Sequence, residues 1–299
     1  MDPVETASTI KVLFDTDIGS DIDDACALAY LLAEPRCELL GITTVSGLPV
    51  ERAKLASVIC RAAGQDIPII PGISDRLDGP TRQPYVPQAS ILKNWAHSSH
   101  FRDQDAVGFM ANTIRTNPGD VVLLAVGPMT NVATLFMAHP DVPPLLRSIY
   151  MMCGRFSGHL GNRAISEWNA HCDPAAAAIT YSTAVDNHTS IGLDVTNDIV
   201  MNSAEISERF QHPFLQPVLE MSGTWFSGHD LLRFHDPLAA VTVFEPGICG
   251  YEYGTVTVVR SEGREDGTTN WISGVEGPHR VGANVDASRF FDSYFDVFS

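Results

Sequence analysis

Basic residues are scarce in this sequence. Only 19 lysines and arginines face 36 aspartates and glutamates over 299 residues, which gives a formal net charge of −17. Phosphate backbones and anionic membrane surfaces recruit clustered Lys and Arg, so we expect neither nucleic-acid polymers nor membranes as partners. No apolar run approaches the roughly 20 residues of a membrane span. The first residues also lack the basic and apolar regions of a signal peptide.

Cysteine pairs, repeats and linkers are missing as well. The six cysteines lie far apart, and no Cys-x-x-Cys pair occurs. We expect them to be reduced, mostly buried thiols of a cytoplasmic protein. There is no internal repeat, no low-complexity tract and no linker, and 44% of the residues are hydrophobic. A chain of this size can bury one large core, so we expect a single domain over residues 1–299.

What the sequence does contain is a regular alternation of strand-like and helix-like segments. After the apolar run that begins at Ile10, the predicted strands are Cys37–Val45, Asp66–Ile70, Asp120–Val126, Ser148–Cys153 and Ser190–Val195. The predicted helices are one from Asp23, 50–63, 104–116, 129–138, one from 174, one or two within 203–226, 238–244 and 287–297. Residues 154–172 are predicted to be a loop, and 254–285 to be strand-like. This alternation predicts a Rossmann-like α/β fold with a mixed, mainly parallel sheet and helices on both faces.

Five aspartates lie within ten residues directly after the first predicted strand, at positions 15, 17, 21, 23 and 24. Asp15 and Asp17 are two residues apart, so on a strand they point to the same side near its carboxyl end, where open α/β sheets bind ligands. Asp23 and Asp24 begin a helix, whose positive end suits acidic side chains. Several convergent carboxylates repel one another unless a cation lies between them. An oxygen-seeking cation such as Ca²⁺ or Mg²⁺ is the simplest candidate.

Two families share this opening. Asp-x-Asp after a strand is how haloacid-dehalogenase-type phosphatases begin, whereas the longer string from Asp15 to Ala25 resembles the opening motif of the inosine-uridine-preferring nucleoside hydrolases. Further segments resemble blocks of the second family in the same order: Val126-Gly-Pro-Met-Thr-Asn131, Met151-Met-Cys-Gly154, Glu167-Trp-Asn-Ala-His-Cys-Asp-Pro174, Gly192-Leu-Asp-Val-Thr196 and His235-Asp236. The phosphatase pattern also needs a lysine and a downstream acidic pair, and no second acid accompanies Asp120. The resemblance to the nucleoside hydrolases spans residues 10–245.

The resemblance implies a Ca²⁺-dependent enzyme of nucleoside catabolism or purine and pyrimidine salvage, which hydrolyses the N-glycosidic bond of ribonucleosides to free base and ribose. Asp17, Asp24 and Asp236 are matched to carboxylate ligands of the calcium ion, and Thr130 to a backbone carbonyl ligand. Asp17 is also matched to the general base, and His235 to a catalytic histidine near the leaving base. The residues matched to substrate binding are Asp23, Met152, Glu167, Asn169 and Asp236. The family's habit of assembly implies a homodimer or homotetramer.

Two departures of the sequence from the family pattern concern residues near the matched ribose site. Leu48 stands where the family usually has an asparagine that reaches the ribose hydroxyls, and Arg155 brings a positive charge near the sugar pocket, where it could pair with Glu167. These departures motivate the main alternative, a non-catalytic relative that binds nucleosides or other ribosyl ligands. The retention of the five aspartates argues against it: Asp15, Asp17, Asp23, Asp24 and Asp236. Glu167 and Asn169 could also only cap a turn. The side chains that could line a base pocket, or only fill loops and core, are His97, His100, Trp225 and His229.

Overall fold

The computed structural model describes residues 9–102, 104–156 and 166–299. Eleven strands occur in these ranges: β1 Ile10–Thr16, β2 Cys37–Thr44, β3 Ile69–Pro71, β4 Val121–Ala125, β5 Ser148–Met151, β6 His188–Ser190, β7 Val200–Asn202, β8 Leu231–Arg233, β9 Cys249–Val258, β10 Thr269–Ser273 and β11 His279–Val285. Nine of them form one sheet in the order β10-β9-β11-β6-β5-β4-β1-β2-β3, and β7 pairs with β8 separately. Only the pairs that β9 makes with β10 and β11 are antiparallel in the large sheet. The predicted mixed, mainly parallel sheet is confirmed.

The helices are α1 Asp23–Ala33, α2 Pro49–Ala62, α3 Ala106–Thr116, α4 Thr130–Ala138, α5 Trp168–Cys172, α6 Pro174–Ser182, α7 Leu193–Thr196, α8 Ser203–Arg209, α9 Gln216–Phe226, α10 His235–Phe244 and α11 Ala287–Asp296. None of those in the described ranges is long and apolar enough to cross a membrane. The six cysteines are unpaired, and all but Cys37 are buried, as their spacing predicted.

Helices cover both faces of the sheet because alternate strand residues point to opposite sides. On β1, Val12 and Phe14 pack in one buried cluster, which also holds apolar side chains of α1, α2, α9, α10 and α11. The side chain of Leu13, between them, packs in a second cluster with α3, α4 and α6. The near-continuous apolar character of β1 and β4 follows from this burial on both faces.

The chain reverses its direction of travel across the sheet at β1. From β1 it moves outward through β2 to β3 and then returns to place β4 on the other side of β1. The loops that follow β1 and β4 therefore diverge and leave a crevice at the carboxyl edge of the sheet. Such a crevice is where open α/β sheets bind their ligands.

The predicted strand Ser190–Val195 is wrong over most of its length. The strand β6 ends at Ser190, and Leu193–Thr196 is the short helix α7, which begins after Gly192. The backbone N–H of Leu193 donates to the carbonyl of Gly154, and the Asp194 carboxylate accepts from the N–H of Phe156. The chain thus leaves the sheet to bond with the β5 loop. The predicted loop 154–172 is also incomplete, since it contains α5.

A buried histidine, His188, lies on β6 beside His279 of the neighbouring strand β11. The His188 ring stacks on Tyr181 at 5.2 Å between centroids and meets the edge of His279 at 4.7 Å. Neither ring nitrogen of His188 has a hydrogen-bond partner in the described residues. Burial lowers the pKa of His188 to about 3, and the charge of His279 acts in the same direction.

Replacing His188 with Phe is therefore expected to reduce the loss of folding stability as the pH falls from neutral to mildly acidic. In the unfolded chain the histidine takes up a proton near its ordinary pKa of 6.5, whereas in the folded protein it stays neutral until the pH is much lower. Its contribution to the free energy of unfolding is therefore complete above pH 6.5 and is lost as the pH falls toward 3. The free energy of unfolding changes by at most about 1.4 kcal/mol per pH unit through this group. Urea unfolding at several pH values between neutral and mildly acidic measures it. Parallel pH profiles for parent and variant would contradict this account, since the site carboxylates contribute equally to both.

Candidate active site

A cavity of about 700 Å³ opens at the carboxyl edge of the sheet. It lies in the crevice beside β1 and β4, and loops from both halves of the chain line it. All the predicted site residues except Thr130 line this cavity: Asp17, Asp23, Asp24, Met152, Glu167, Asn169, His235 and Asp236. The fold thus brings together residues that are more than 200 positions apart in sequence.

Three buried carboxylates meet at the floor of the cavity. Asp23 and Asp24 occupy the first turn of α1, and Asp236 occupies the first turn of α10, which packs against α1. One oxygen from each lies within 4.8 Å of the others, and the N–H of Asp236 donates to Asp23 Oδ2 at 3.2 Å. Burial raises the pKa of each carboxyl group well above its usual range, and neighbouring aspartates raise it further. We call these residues the acidic triad. An all-oxygen cluster of this kind can bind a hard divalent cation.

Asp17 lies beside the acidic triad rather than within it. It directly follows β1, and its negative charge raises the pKa of Asp24 and Asp236. Burial raises the pKa of Asp17 itself, while the charge of Arg52 and hydrogen bonds involving Gln83 and Asp24 lower it. The structure therefore groups Asp23 with two of the predicted metal ligands and places the third, Asp17, next to them.

Thr130 is the predicted ligand that the structure does not bring into the cavity. Its hydroxyl donates to Asp173 Oδ2 at 2.7 Å, and its carbonyl accepts from the Thr134 hydroxyl at 2.7 Å inside α4. Val126, which directly follows β4, lines the cavity instead. The spacing of the Gly-Pro-Met-Thr-Asn block could not show which of its carbonyls faces inward. The end of the predicted strand Asp120–Val126 was the signal that pointed to Val126.

Asp15 supports the site from below. Its Oδ1 accepts hydrogen bonds from the Thr43 hydroxyl at 2.5 Å and from Asn131 Nδ2 at 2.7 Å. Burial raises its pKa to about 7, although both hydrogen bonds act in the opposite direction. Asp15 thus ties β1 to β2 and to α4 and does not line the cavity.

Glu167 and Asn169 combine a structural position with exposure to the cavity. Glu167 caps α5: Oε1 accepts from the N–H of Asn169 at 2.7 Å, and Oε2 accepts from those of Ala170 at 3.0 Å and Gly154 at 3.1 Å. Asn169 Nδ2 donates to the carbonyls of Val126 at 2.6 Å and Met152 at 3.0 Å. These bonds hold the ends of β4, β5 and α5 in one wall of the cavity. Glu167 thus caps α5, as the alternative interpretation predicted, and it also lines the cavity.

Aromatic side chains surround the outer part of the cavity. Trp225 and His229 stack with their ring centroids 3.7 Å apart and nearly parallel planes, and both line the cavity together with Tyr85 and Trp168. His97 and His100 do not line it. Of the candidate base-pocket side chains, the structure therefore places only Trp225 and His229 at the cavity.

His235 lines the cavity at the start of α10, directly before Asp236 of the acidic triad. Its Nδ1 is 2.7 Å from the Thr196 hydroxyl. Burial lowers its pKa to about 4, and the charge of Arg233 acts in the same direction. The imidazole is therefore neutral near pH 7 and available as a hydrogen-bonding group.

Neither departure from the family pattern lines the cavity. Leu48 is 49% exposed. The backbone of Arg155 pairs with the Thr269 hydroxyl, its N–H donating at 2.9 Å and its carbonyl accepting at 2.6 Å. Sequence reasoning missed other lining residues, of which Asp21 and Gln83 are examples. Gln83 falls in a long segment without periodicity, so no pattern marked it.

The fold and the site define an α/β protein with a buried acidic, metal-type cluster at the switch point of its sheet. A family model described as inosine-uridine preferring nucleoside hydrolase matches residues 12–292. The chain belongs to this family and is an enzyme that hydrolyses the N-glycosidic bond of ribonucleosides. The phosphatase interpretation is excluded by this finding.

Individual relatives agree with this assignment. The chain is 27% identical over 264 residues to a probable uridine nucleosidase 1 of Oryza sativa subsp. japonica, covering 83% of this chain and 81% of the relative. It is 29% identical to the pyrimidine-specific ribonucleoside hydrolase RihA of Salmonella paratyphi B, covering 80% and 81%. Among solved structures, the plant nucleoside hydrolase PpNRh1 superposes with a TM-score of 0.84 at 23% identity over 97% of this chain and 98% of that one. This likeness establishes the fold.

Proposed function

We propose that this protein is a Ca²⁺-dependent ribonucleoside hydrolase whose ribose site is the acidic triad with Asp17. The observation that carries the proposal is the convergence of three buried carboxylates within 4.8 Å at the floor of the cavity. Full ionisation of such a group needs a cation, because burial and mutual repulsion both favour protonation. The donors are all oxygens, which suits Ca²⁺ and its six to eight oxygen ligands.

Asp24 and Asp236 are proposed as ligands because the sequence pattern names both and both belong to the acidic triad, and Asp17 completes the proposed carboxylate set. The carbonyl of Val126 takes the place that the sequence pattern assigned to Thr130. Asp23 is proposed to bind the 2′-hydroxyl of ribose, and Met152 to lie beneath the sugar. When bound, the ion supplies positive charge and coordination positions for the ribose diol and for a water molecule.

Asp17 is the proposed general base. In hydrolysis the water oxygen bonds to C1′ of ribose and one water proton passes to Asp17, while the C1′–N bond breaks and its electron pair leaves with the base. The departing base takes up a proton from solvent to give the free base. The transition state resembles an oxocarbenium ion, so the surrounding carboxylates favour it over the neutral substrate. His235 is proposed to contact the leaving base through Nε2, because Nδ1 faces Thr196.

The lining of the cavity supports a proposed orientation for the nucleoside. Ribose lies at the acidic floor, and the base lies against the Trp225–His229 stack, since heteroaromatic rings pack favourably on aromatic faces. Relatives named uridine nucleosidase make uridine the first substrate to test. Assembly into a homodimer or homotetramer, and a cytoplasmic location, stay predictions.

We expect uridine to be cleaved and its 5′-monophosphate to be left intact. Glu167 and Asn169 are proposed to hold the 5′ end of the ribose, and a phosphate placed near the buried Glu167 carboxylate would be repelled. A panel of nucleosides and their 5′-monophosphates, assayed for free reducing sugar with and without chelator, tests this. Comparable turnover of uridine and its monophosphate would show that the assignment of the 5′ subsite is wrong.

The alternative of a non-catalytic nucleoside-binding relative finds no support. The chain belongs to the nucleoside hydrolase family, its named relatives are nucleosidases and ribonucleoside hydrolases, and neither Leu48 nor Arg155, the residues that motivated the alternative, lines the cavity.

A further inference from the structure

Arg52 has the largest of the fully buried side chains in the described part of the chain, with 0% of its surface exposed. It belongs to the first turns of α2, on the loop side of the sheet. Burying a guanidinium is unfavourable unless hydrogen bonds and nearby negative charge compensate. The contacts of Arg52 therefore indicate the role of this buried side chain.

The hydrogen bonds of Arg52 join two neighbouring loops. Its Nε donates to the carbonyl of Ser46 at 2.8 Å, in the turn after β2. Its Nη1 donates to the carbonyls of Asp17 and of Ile18, the latter at 3.1 Å, and to the Ser20 hydroxyl at 3.0 Å. The acceptors after β1 thus lie in the segment 17–20, which carries the proposed general base and leads into the acidic triad.

The turn at Ser46, to which Arg52 also donates a hydrogen bond, is conformationally constrained. Ser46 has a φ of 70° and Gly47 a φ of 64°, and a left-handed conformation is costly for a non-glycine residue such as Ser46. The hydrogen bond from Arg52 to the Ser46 carbonyl helps to hold this conformation. Arg52 is thus one side chain of α2 that bonds to both loops at once.

We propose that Arg52 is a positioning residue, which holds segment 17–20 against the Ser46 turn and so places the carboxylates of Asp17 and the acidic triad for cation binding. The inference rests on the proposed function, because the proposed ion is the one that these carboxylates bind. It adds a residue that touches neither the cavity nor the substrate.

The direction in which the Ca²⁺ Kd changes when Arg52 is replaced separates a positioning role from a purely electrostatic one. At alkaline pH, where the site carboxylates are ionised with or without Arg52, a buried cation that acts only through its charge repels Ca²⁺, so its removal tightens Ca²⁺ binding. A positioning residue has the opposite effect, since its removal lets the ligands adopt other geometries. The hydrogen bonds that Arg52 donates go to main-chain carbonyls and to one hydroxyl, which is the arrangement of a brace.

The experiment is calorimetric titration of Ca²⁺ at alkaline pH into metal-stripped parent, Arg52→Met and Arg52→Lys, with thermal unfolding of each protein. Loss of a group that orients metal ligands typically weakens metal affinity about 10–100-fold, and we expect an increase of the Ca²⁺ Kd in this range for Arg52→Met. Arg52→Lys is expected to fall between parent and Arg52→Met, because one ammonium cannot bridge both loops.

Arg36→Met is the matched control. Arg36 also makes several hydrogen bonds, to Glu34 and Glu245, but it precedes β2 at the opposite edge of the sheet. The Arg36→Met substitution is expected to lower the melting temperature and to leave the Ca²⁺ Kd unchanged. This result would separate an effect on ligand positioning from a general loss of stability.

An unchanged or tighter Ca²⁺ Kd in a folded Arg52→Met protein overturns the proposal. If Arg52→Met does not fold, Arg52→Lys decides in the same way, and a Kd equal to that of the parent overturns it. If the parent itself binds no Ca²⁺, the proposed calcium site fails, and this inference fails with it. Equal affinities in parent and variants remove this inference alone and leave the proposed function standing.

Discussion

Replacing Asp17 with Asn is expected to lower the kcat of nucleoside hydrolysis by about 10²–10⁴, or about 3 to 5 kcal/mol of barrier. The asparagine amide keeps an oxygen for the metal and a similar shape, but it loses the basicity needed to accept a proton from water. Nucleoside binding in the presence of Ca²⁺ should change much less. Steady-state kinetics of sugar release and calorimetry on the same preparations measure the two effects separately.

Asp173→Asn provides a control for loss of a buried carboxylate outside the cavity. Asp173 is fully buried and accepts hydrogen bonds from Thr130, Leu77 and Ala176. Its replacement should lower stability and leave kcat far closer to that of the parent. If Asp17→Asn hydrolyses nucleosides as fast as the parent, Asp17 is not the general base and the proposed mechanism is wrong at its centre.

Calcium is expected to stabilise the metal-stripped protein by about 2.7 kcal/mol when present at about 100 times its Kd. The ion binds the folded protein, where Asp24 and Asp236 converge, and has no such site in the unfolded chain. Binding also removes the repulsion that raises the pKa values of the acidic triad. Thermal or urea unfolding across a Ca²⁺ series measures the effect. Mg²⁺ should stabilise less, because it demands near-ideal octahedral geometry and releases its water reluctantly.

Asp236→Ala should abolish this stabilisation. The substitution removes one carboxylate of the acidic triad and also relieves repulsion, so the metal-free variant should remain folded and serve as its own reference. A melting curve of the parent that does not respond to Ca²⁺ would count against the site. A full response in Asp236→Ala would show that the ion binds elsewhere.

Much of the fold was readable from the sequence because burial on both faces leaves a strong local pattern. The apolar runs of β1 and β4 and the helical spacing in α1 and α2 marked these elements, and their alternation predicted a parallel sheet. The prediction failed where a distant contact decides the conformation. Residues 193–196 form a helix because Leu193 and Asp194 bond to the loop after β5, which no local pattern reveals.

The sequence by itself also determined the chemistry of the site. A dense run of aspartates at the end of a buried strand, with His235-Asp236 far downstream, pointed to an acidic cation site and to the nucleoside hydrolases, to which the chain belongs. The chemistry of a side chain follows from the residue type and its place in the sequence, so it can be read without a three-dimensional structure.

Only the tertiary structure decided which atoms face one another. It placed Asp23 rather than Asp17 in the acidic triad, through a contact with Asp236 that spans 213 positions. It turned the carbonyl of Thr130 into α4 and brought Val126 to the cavity, and it buried Arg52 beneath segment 17–20. The physical reason is that these relations depend on how helices and strands pack. Packing is set by the whole core, whereas spacing along the chain records only local geometry.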